Sequence, residues 1–547
     1  MSARRDRFAE EHLPSPDEMP VFHFDLADLR YPPQMNAVTY FVDRQIDEGR
    51  GERRAIVAPG GTDWTYDDLD SVVNTIANAL VRDLGVVPGA RVLLRAPNSP
   101  MLAACWLAVI KAGAIAVNTM PLYRASELRY ILEKARVGLA LCDVRLRSEL
   151  DDAVRGKPDI RIVDFAGDRT AGLESMMDRA SDRFTAVSCA AEDVALIAFT
   201  SGTTGSPKAT MHYHRDLIAI CDTYARHVLQ PHPEDLFTGT PPLAFTFGLG
   251  GLLLFPLYAG AATVLIEKTQ PEELLRTIDA FGVTTAFTAP LAYRAMCAML
   301  ERYAVSSLHT CVSAGETLPK PVFDEWLART NLRILDGIGS TEMLHVFIGS
   351  PRDQTRSGST GRVVPGYVAQ IHDDEGNVLP AGEIGRLAVQ GPTGCKYLDD
   401  ERQRNYVQRG WNYPGDAYRV DGEGYFYYVA RTDDLIVSAG YNISGPEVEQ
   451  ALLAHAHVRE AAVVGKPDPA HGTNIVKAYV VMTAAEHRNL EKCEELREHV
   501  KALIAPYKAP REIEFVEELP RTLTGKVQRY RLRERASGEI ERGETTT

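Results

Sequence analysis

Residues 194–208 read VALIAFTSGTTGSPK. The run Val194–Thr200, bounded by turn-forming residues, predicts a buried strand. It feeds a loop in which Gly202 and Gly205 stand among the hydroxyls of Thr200, Ser201, Thr203 and Thr204, and Lys208 closes it. Glycines let backbone N–H groups come close to a polyphosphate, hydroxyls add donors and the lysine adds charge. A Walker A reading fails, because G-x-x-x-x-G-K-[ST] does not fit. A plain surface turn fits these residues equally well, since Ser/Thr/Gly clusters are common in loops.

Working outward, the pattern of strand followed by helix repeats. AIVAP (55–59), RVLLRA (91–96), AIAVNT (114–119), LALCD (139–143) and ATVLIE (262–267) read as buried strands. YDDLDSVVNTIANALVRDL (66–84) and SELRYILEKA (126–135) have helical spacing between them. Such alternation predicts α/β layers with mainly parallel sheets. Toward residue 360 the texture becomes turn-rich and antiparallel, which predicts a small barrel-like β region. After Arg431 a compact α+β unit follows. It has a helix at EVEQALLAH, strands at EAAVVG and IVKAYVVM, a charged helix at 487–503 and a strand at EIEFVEEL. The expected division is a large unit over 1–432, a small one over 433–537, and a disordered polar tail over 538–547.

The chain has 547 residues, which at roughly 100–200 residues per domain suggests about three domains. Its 60 Lys+Arg against 74 Asp+Glu leave a net charge of −14. That balance argues against a nucleic-acid protein or an anionic membrane surface. An anionic small molecule would need locally placed cations. Eight cysteines are scattered without a C-x-x-C pair, so neither a zinc ribbon nor a redox dithiol is expected. They read as reduced, buried thiols of a cytoplasmic protein. The opening MSARRDRFAEEHLPSPDEMP has no apolar h-region. Phe237–Ile266 carries no charge and is long enough to cross a bilayer. Pro241, Pro242, Gly248, Gly250, Gly251, Pro256 and Gly260 punctuate it, so a loop, a buried helix and a buried strand are expected instead.

Five motifs in order resemble the adenylate-forming (AMP-binding) superfamily of acyl- and aryl-CoA ligases, nonribosomal adenylation domains and firefly luciferase. Thr200–Lys208 is similar to its phosphate loop. Ser313-Ala314-Gly315-Glu316 resembles the adenine-side loop, and Asp336-Gly337-Ile338-Gly339-Ser340-Thr341-Glu342 the G-x-T-E segment. Gly415-Asp416 and Ala430-Arg431-Thr432-Asp433-Asp434 resemble the ribose and hinge motifs, and Pro520–Lys526 the C-terminal lysine motif. A Rossmann reading of Gly337-Ile338-Gly339 fails, because Glu342 stands where the third glycine belongs.

The resemblance implies two half-reactions. A carboxylate attacks the α-phosphorus of ATP, and a thiol, that of coenzyme A, then displaces AMP. The first step brings anions together, and a like-charge pair at about 4 Å costs about 4 kcal/mol at an effective dielectric near 20. Placed cations and donors must offset this. The resemblance assigns Lys526 to the reacting carboxylate and α-phosphate, Glu342 to Mg2+ and Thr341 to a phosphate oxygen. It assigns Lys208 to the phosphate loop, Asp416 to the ribose, and Arg431 to the ribose or α-phosphate. Asp433 is the implied hinge, about which Ser438-Ala439-Gly440-Tyr441 would swing toward the thiol channel. Taken alone, Lys526 reads as a solvated lysine and Asp416 as a turn residue.

Acid specificity is expected between residues 244 and 345. Ala244, Phe245, Phe247 and Gly248 resemble the acid-pocket motif, although many family ligases carry histidine where Phe245 stands. Read alone, both phenylalanines fit a core equally well. Gly339–His345, Gly391–Cys395 and Ser438–Glu447 resemble benzoate-CoA and especially 2-aminobenzoate-CoA ligases. Gly248, Gly315, Gly337 and Gly339 would form a flat slot, and His345 would meet the carboxylate or a ring substituent, unless it is simply structural. A small monocyclic aryl acid is expected, with an ortho-amino or hydroxyl group or none. A stand-alone enzyme loading a carrier-protein phosphopantetheine is the alternative. The family also implies a homodimer and acetylation of Lys526 by a lysine acetyltransferase, which would remove its charge.

Overall fold

Val194–Thr200 forms a strand inside a six-stranded sheet, running beside Ile115–Thr119 and pairing on its other side with Lys208–Tyr213. The computed structural model describes residues 4–167, 170–200, 207–438, 441–468, 473–485, 488–521 and 527–542. The sheet continues through Arg91–Arg95 and Leu139–Asp143 to Arg161–Phe165, all parallel except the antiparallel edge strand Lys208–Tyr213. Its inner strands are buried on both faces, as parallel strands flanked by helices must be. The helix Pro100–Lys111, capped by Ser99 and apolar almost all round, is buried in the largest core cluster.

A nine-stranded sheet packs beside it. Six of its strands are parallel, in the order Ile334–Gly339, Thr310–Ser313, Thr285–Thr288, Leu236–Gly239, Ala262–Val264 and Arg54–Val57. The uncharged stretch 237–266 thus becomes strand, loop, buried helical segments and strand. Among the described residues no helix is long and apolar enough to cross a membrane. The turn-rich region forms a separate antiparallel sheet built around Gly385–Gln390, Asp416–Val420 and Phe426–Arg431.

The C-terminal unit has a three-stranded sheet, Val458–Asp468, Thr473–Met482 and Glu512–Phe515, with helices Gly445–Leu453, Leu490–Leu503 and Arg529–Arg542. Its two core clusters draw only on residues from Ile436 onward. One expectation fails here. The last helix runs to Arg542, so residues 538–542 are helical rather than part of a disordered tail. Leu532 and Ala536 anchor that helix in the core, and Arg533 and Arg535 pair with Asp434 and Glu514. These tertiary contacts outweigh the low local hydropathy that suggested disorder.

Candidate active site

In parallel sheets, ligands bind outside the carboxyl ends of the strands. Three of the sequence motifs lie there. Thr200 ends one strand and Lys208 begins the next, and the two are directly paired in an antiparallel ladder. Ser201, Gly202, Thr203, Thr204 and Gly205 lie outside the described residues, as do Ala439, Gly440 and Lys526. Ser313 ends its strand in register with Asp336 of the neighbouring strand, and each holds a buried side-chain oxygen without a hydrogen-bond partner. Burial pushes the Asp336 carboxyl up to about 8. Beyond Ser313, Gly315 has φ +91° and open space where a Cβ would stand, and Ala314 and Glu316 flank it.

The Lys208 ammonium donates to the Tyr397 hydroxyl at 3.2 Å, and that hydroxyl donates to Glu342 Oε1 at 2.5 Å. One phenol therefore ties the cation of the phosphate loop to the carboxylate of the G-x-T-E segment. Burial and the nearby Glu342 charge raise the Tyr397 pKa, which keeps the phenol a donor.

Beneath this lies a fully buried polar network. His212 Nε2 donates to the Thr341 carbonyl at 2.9 Å. Its other nitrogen stands 3.8 Å from Asp216, too far for a hydrogen bond. Asp216 Oδ2 accepts from the Lys396 ammonium at 2.9 Å, and Lys396 also donates to the Gly394 carbonyl at 3.0 Å. Burial alone would raise the Asp216 carboxyl, but Lys396 and His212 hold it well below the usual range. Burial, with the Lys396 charge, lowers His212 and keeps it neutral. Lys208, Thr210 and His212 share one face of their strand by its period of two, so the phosphate lysine and the residue beneath Thr341 are set by one element.

Asp416 and Arg431 face each other across antiparallel strands, and Arg431 donates to Asp416 Oδ1 at 3.1 Å and to the Pro414 carbonyl at 2.8 Å. Thr432–Asp434 form a 3-10 turn directly after them. Ser438 pairs with Tyr441 across two short antiparallel strands, and Ser438 lines a groove of about 570 Å3 together with Glu494, Arg497, Lys501, Tyr507 and Arg511.

The acid-pocket segment is held by two asparagines: Asn98 bonds Pro241 and Leu243, and Asn118 donates to the Leu243 carbonyl. Ala244 and Phe245 then pack with the core of the six-stranded sheet. Phe247 instead faces Phe287 and His345, with ring centroids 5.6 and 5.8 Å apart. His345 is also packed by Tyr224 at 5.2 Å and Phe255 at 4.6 Å. Neither of its ring nitrogens makes a hydrogen bond, and the backbone of Phe247 faces the ring without forming one. The Tyr224 hydroxyl is likewise buried without a partner. Burial drives His345 down to about 3, so it is a neutral imidazole that can exchange hydrogen bonds but not charge with a ligand.

The flat slot expected from four glycines is not what those glycines build. A Cβ at Gly248 would sit 2.2 Å from the Pro242 carbonyl, at Gly337 2.7 Å from Val346, and at Gly339 2.5 Å from the His345 carbonyl. These three serve close packing of backbone and strand. The glycine that admits the His345 ring is Gly250, where a Cβ would lie 2.4 Å from Cδ2. Tyr397, Lys396, His212, Asp216 and Tyr224 had no place in the sequence reading, and Gly250 entered it only as a break in the uncharged stretch. The signals available were the strand period from Lys208 to His212 and the two residues that follow Gly391–Cys395.

The AMP-binding enzyme family model matches residues 42–396, and the AMP-binding enzyme C-terminal domain model matches residues 447–526. The benzoate–CoA ligase of Thauera aromatica is 34% identical over 92% of this chain and 97% of its own length. The crystal structure of the anthranilate CoA ligase AuaEII with anthranoyl-AMP superposes with a TM-score of 0.88 at 32% identity, covering 95% of this chain and 100% of that one. A benzoate CoA ligase from Burkholderia xenovorans gives a TM-score of 0.82 at 31% identity, covering 91% and 100%. The chain belongs to the adenylate-forming, AMP-binding superfamily.

Within that superfamily it is an AMP-forming acyl/aryl-CoA ligase, similar to benzoate- and anthranilate-CoA ligases, and it uses ATP, Mg2+ and coenzyme A. The donor set fits the metal: Glu342 offers hard carboxylate oxygen beside Lys208, at the open end of the sheet. When bound, Mg2+ supplies positive charge to the phosphates of ATP. In this ligase the Tyr397 hydroxyl sets the spacing between Lys208 and Glu342. Tyr397→Phe is therefore expected to lower kcat/KM for ATP about 10-fold, or about 1.4 kcal/mol. Steady-state kinetics with varied ATP would measure it, with Tm as a control on folding.

Proposed function

We propose that the chain converts a small monocyclic aryl carboxylate, benzoate-like or carrying an ortho-amino or hydroxyl group, to its coenzyme A thioester through an acyl-adenylate. The observation that carries this reading is His345. Its neutral imidazole is enclosed by Phe247, Phe255 and Tyr224, and its two nitrogens and the Tyr224 hydroxyl are left for a ligand to meet. Buried polar groups are kept unpaired only at a cost of about 1–3 kcal/mol each, so a ligand that pairs them gains correspondingly. The aromatic walls favour a ring over a flexible acyl chain.

In this reading Lys526 contacts the carboxylate and α-phosphate, Glu342 holds Mg2+, and Thr341 bonds a phosphate oxygen. Lys208 and residues 200–205 hold the phosphates, Ser313–Glu316 and Asp336–Gly339 line the nucleotide, and Asp416 and Arg431 take the ribose side. The chain divides at Asp433, about which the small unit turns and brings Ser438–Tyr441 to the thiol. The basic groove of Arg497, Lys501 and Arg511 beside Ser438 favours free coenzyme A, a polyanion, over a carrier protein. Its eight cysteines, all free and buried, suit a cytoplasmic enzyme.

The test is a coupled assay with ATP, Mg2+ and a panel of benzoates and medium-chain acids, with and without coenzyme A, followed by mass spectrometry of the products. Aryl-CoA formed from a benzoate or 2-aminobenzoate is expected, with medium-chain acids at least 10-fold poorer in kcat/KM. Preference for the aliphatic acids would overturn the reading. Turnover only with a phosphopantetheinyl carrier would replace the acceptor. A second expectation concerns the hinge. Asp433→Pro fixes φ near −65° in the turn Thr432–Asp434. Adenylation should remain within about 3-fold while thioester formation falls at least 100-fold, or about 3 kcal/mol. Pyrophosphate release and thioester formation measured separately would check this.

A further inference from the structure

The C-terminal unit carries a cluster of imidazoles far from the residues discussed so far in sequence. His455 and His457 sit in the turn between the helix Gly445–Leu453 and the strand Val458–Asp468, and Glu495 lies on the helix Leu490–Leu503. One ligand atom from each of the three lies within 4.8 Å of the others. His455 Nε2 is 2.9 Å from Glu495 Oε1, and His455 is mostly buried at 12% side-chain exposure. His499, one helical turn beyond Glu495, stacks edge-on against His455 at 5.0 Å, and its Nε2 is buried without a hydrogen-bond partner.

A cation already holds the centre of this cluster. The Lys492 ammonium donates to Glu495 Oε2 at 2.6 Å and to His457 Nδ1 at 3.2 Å. A ring nitrogen that accepts from an ammonium is unprotonated, which is the state a metal ligand requires. Two of the would-be ligands thus already direct lone pairs at one positive charge. We propose that His455, His457 and Glu495, with His499 as the fourth ligand, form a binding site for a divalent transition metal of the Zn2+ type, which displaces the Lys492 ammonium. Imidazole and carboxylate ligands select such ions over Mg2+ or Ca2+. Ligands about 2.0–2.1 Å from a tetrahedral Zn2+ stand roughly 3.4 Å apart. The side chains therefore close on the ion by rotamer changes, with the backbone in place. The partial exposure of the cluster gives the ion a path in.

Placed there, the ion would pin the 454–457 turn to the helix Leu490–Leu503. That turn leads into Arg459, whose carbonyl accepts from Arg294 of the large unit at 3.1 Å.

The test uses the full-length protein, stripped with a chelator and kept in millimolar Mg2+ so that carboxylate sites such as Glu342 do not count. Zn2+ is titrated against a chromophoric chelator, and Co2+ absorption reports the coordination geometry. One Zn2+ per chain and a Zn2+-dependent rise in Tm are expected for the wild type. His457→Ala and Glu495→Gln should each weaken binding at least 10-fold and abolish the rise, while their Tm in chelator stays that of the wild type. Lys492→Met, which removes the competing cation, should bind as tightly or more tightly. The cysteines do not confound the count, because all eight are buried. The proposal fails if the wild type binds no more Zn2+ than a His455→Ala/His457→Ala double variant, or if Lys492→Met abolishes binding.

Discussion

Lys526→Ala is expected to slow adenylation at least 100-fold, about 3 kcal/mol of barrier, while thioester formation from supplied aryl-adenylate survives. The expectation rests on how the lysine is carried. The base of its loop is closed by an antiparallel bridge between Arg521 and Val527 and by Gln528 N–H donating to the Pro520 carbonyl at 2.8 Å. Leu519 before the loop and Leu532 after it are both core residues. Arg529, immediately beyond, is clamped by Glu449 through contacts of 2.7 and 2.9 Å. Lys526 itself lies outside the described residues, and the segments on either side of it are fixed in the small unit. In the proposed mechanism the lysine meets the reacting carboxylate only when that unit is turned toward the large one, and leaves with it. A residue used in one conformation should matter to one half-reaction. Pyrophosphate release measured in the absence of coenzyme A, set against thioester formation from synthetic adenylate, makes the comparison. Equal loss in both half-reactions would sink the assignment.

The strands were legible in the sequence, because short apolar runs between turn residues have few alternatives once helices alternate with them. Leu139–Asp143 and Val194–Thr200 carry the bounds their runs suggest. Local patterns did less well wherever partners distant in sequence decide the outcome. Residues 538–542 look like solvated tail, yet belong to a helix fixed by Leu532 and Ala536. Gly248 looks like a wall of the acid pocket, but its missing Cβ makes room for the Pro242 carbonyl, and Gly250 is the glycine against His345. Tyr397 reads as one more aromatic at the end of a glycine-rich segment. Only the fold sets its hydroxyl between Lys208 and Glu342. A polar network assembled from one strand, one helix and two loop segments leaves no periodic trace, because each member satisfies its own local rule.

The Asp216–Lys396 pair is the extreme case, with its partners 180 residues apart and both side chains fully buried. Breaking such a pair from one side strands a charge in the interior, which costs about 3–5 kcal/mol. Lys396→Met should therefore destabilise the protein by about that amount and, for the folded fraction, relax the support of Thr341 through His212. The pH dependence has a definite sign. In the wild type, Asp216 is depressed in the folded state, so its contribution to stability is present above the ordinary carboxylate pKa and is lost as pH falls through the folded value. In Lys396→Met the ammonium that offsets burial is gone, and burial then favours the neutral acid. Asp216 would then be raised, so the variant should lose stability as pH rises through the new folded value, the opposite slope. The double variant Asp216→Asn/Lys396→Met removes both charges and should regain at least half of the lost stability. Its ligase activity, read beside that of Lys396→Met, reports whether the pair also supports Thr341 through the neighbouring His212. Urea unfolding of the wild type and the two variants between pH 3 and 8, with adenylation rates on the folded protein, tests both parts. A Lys396→Met variant as stable as the wild type at every pH would show that the pair is not what holds this floor of the active site together.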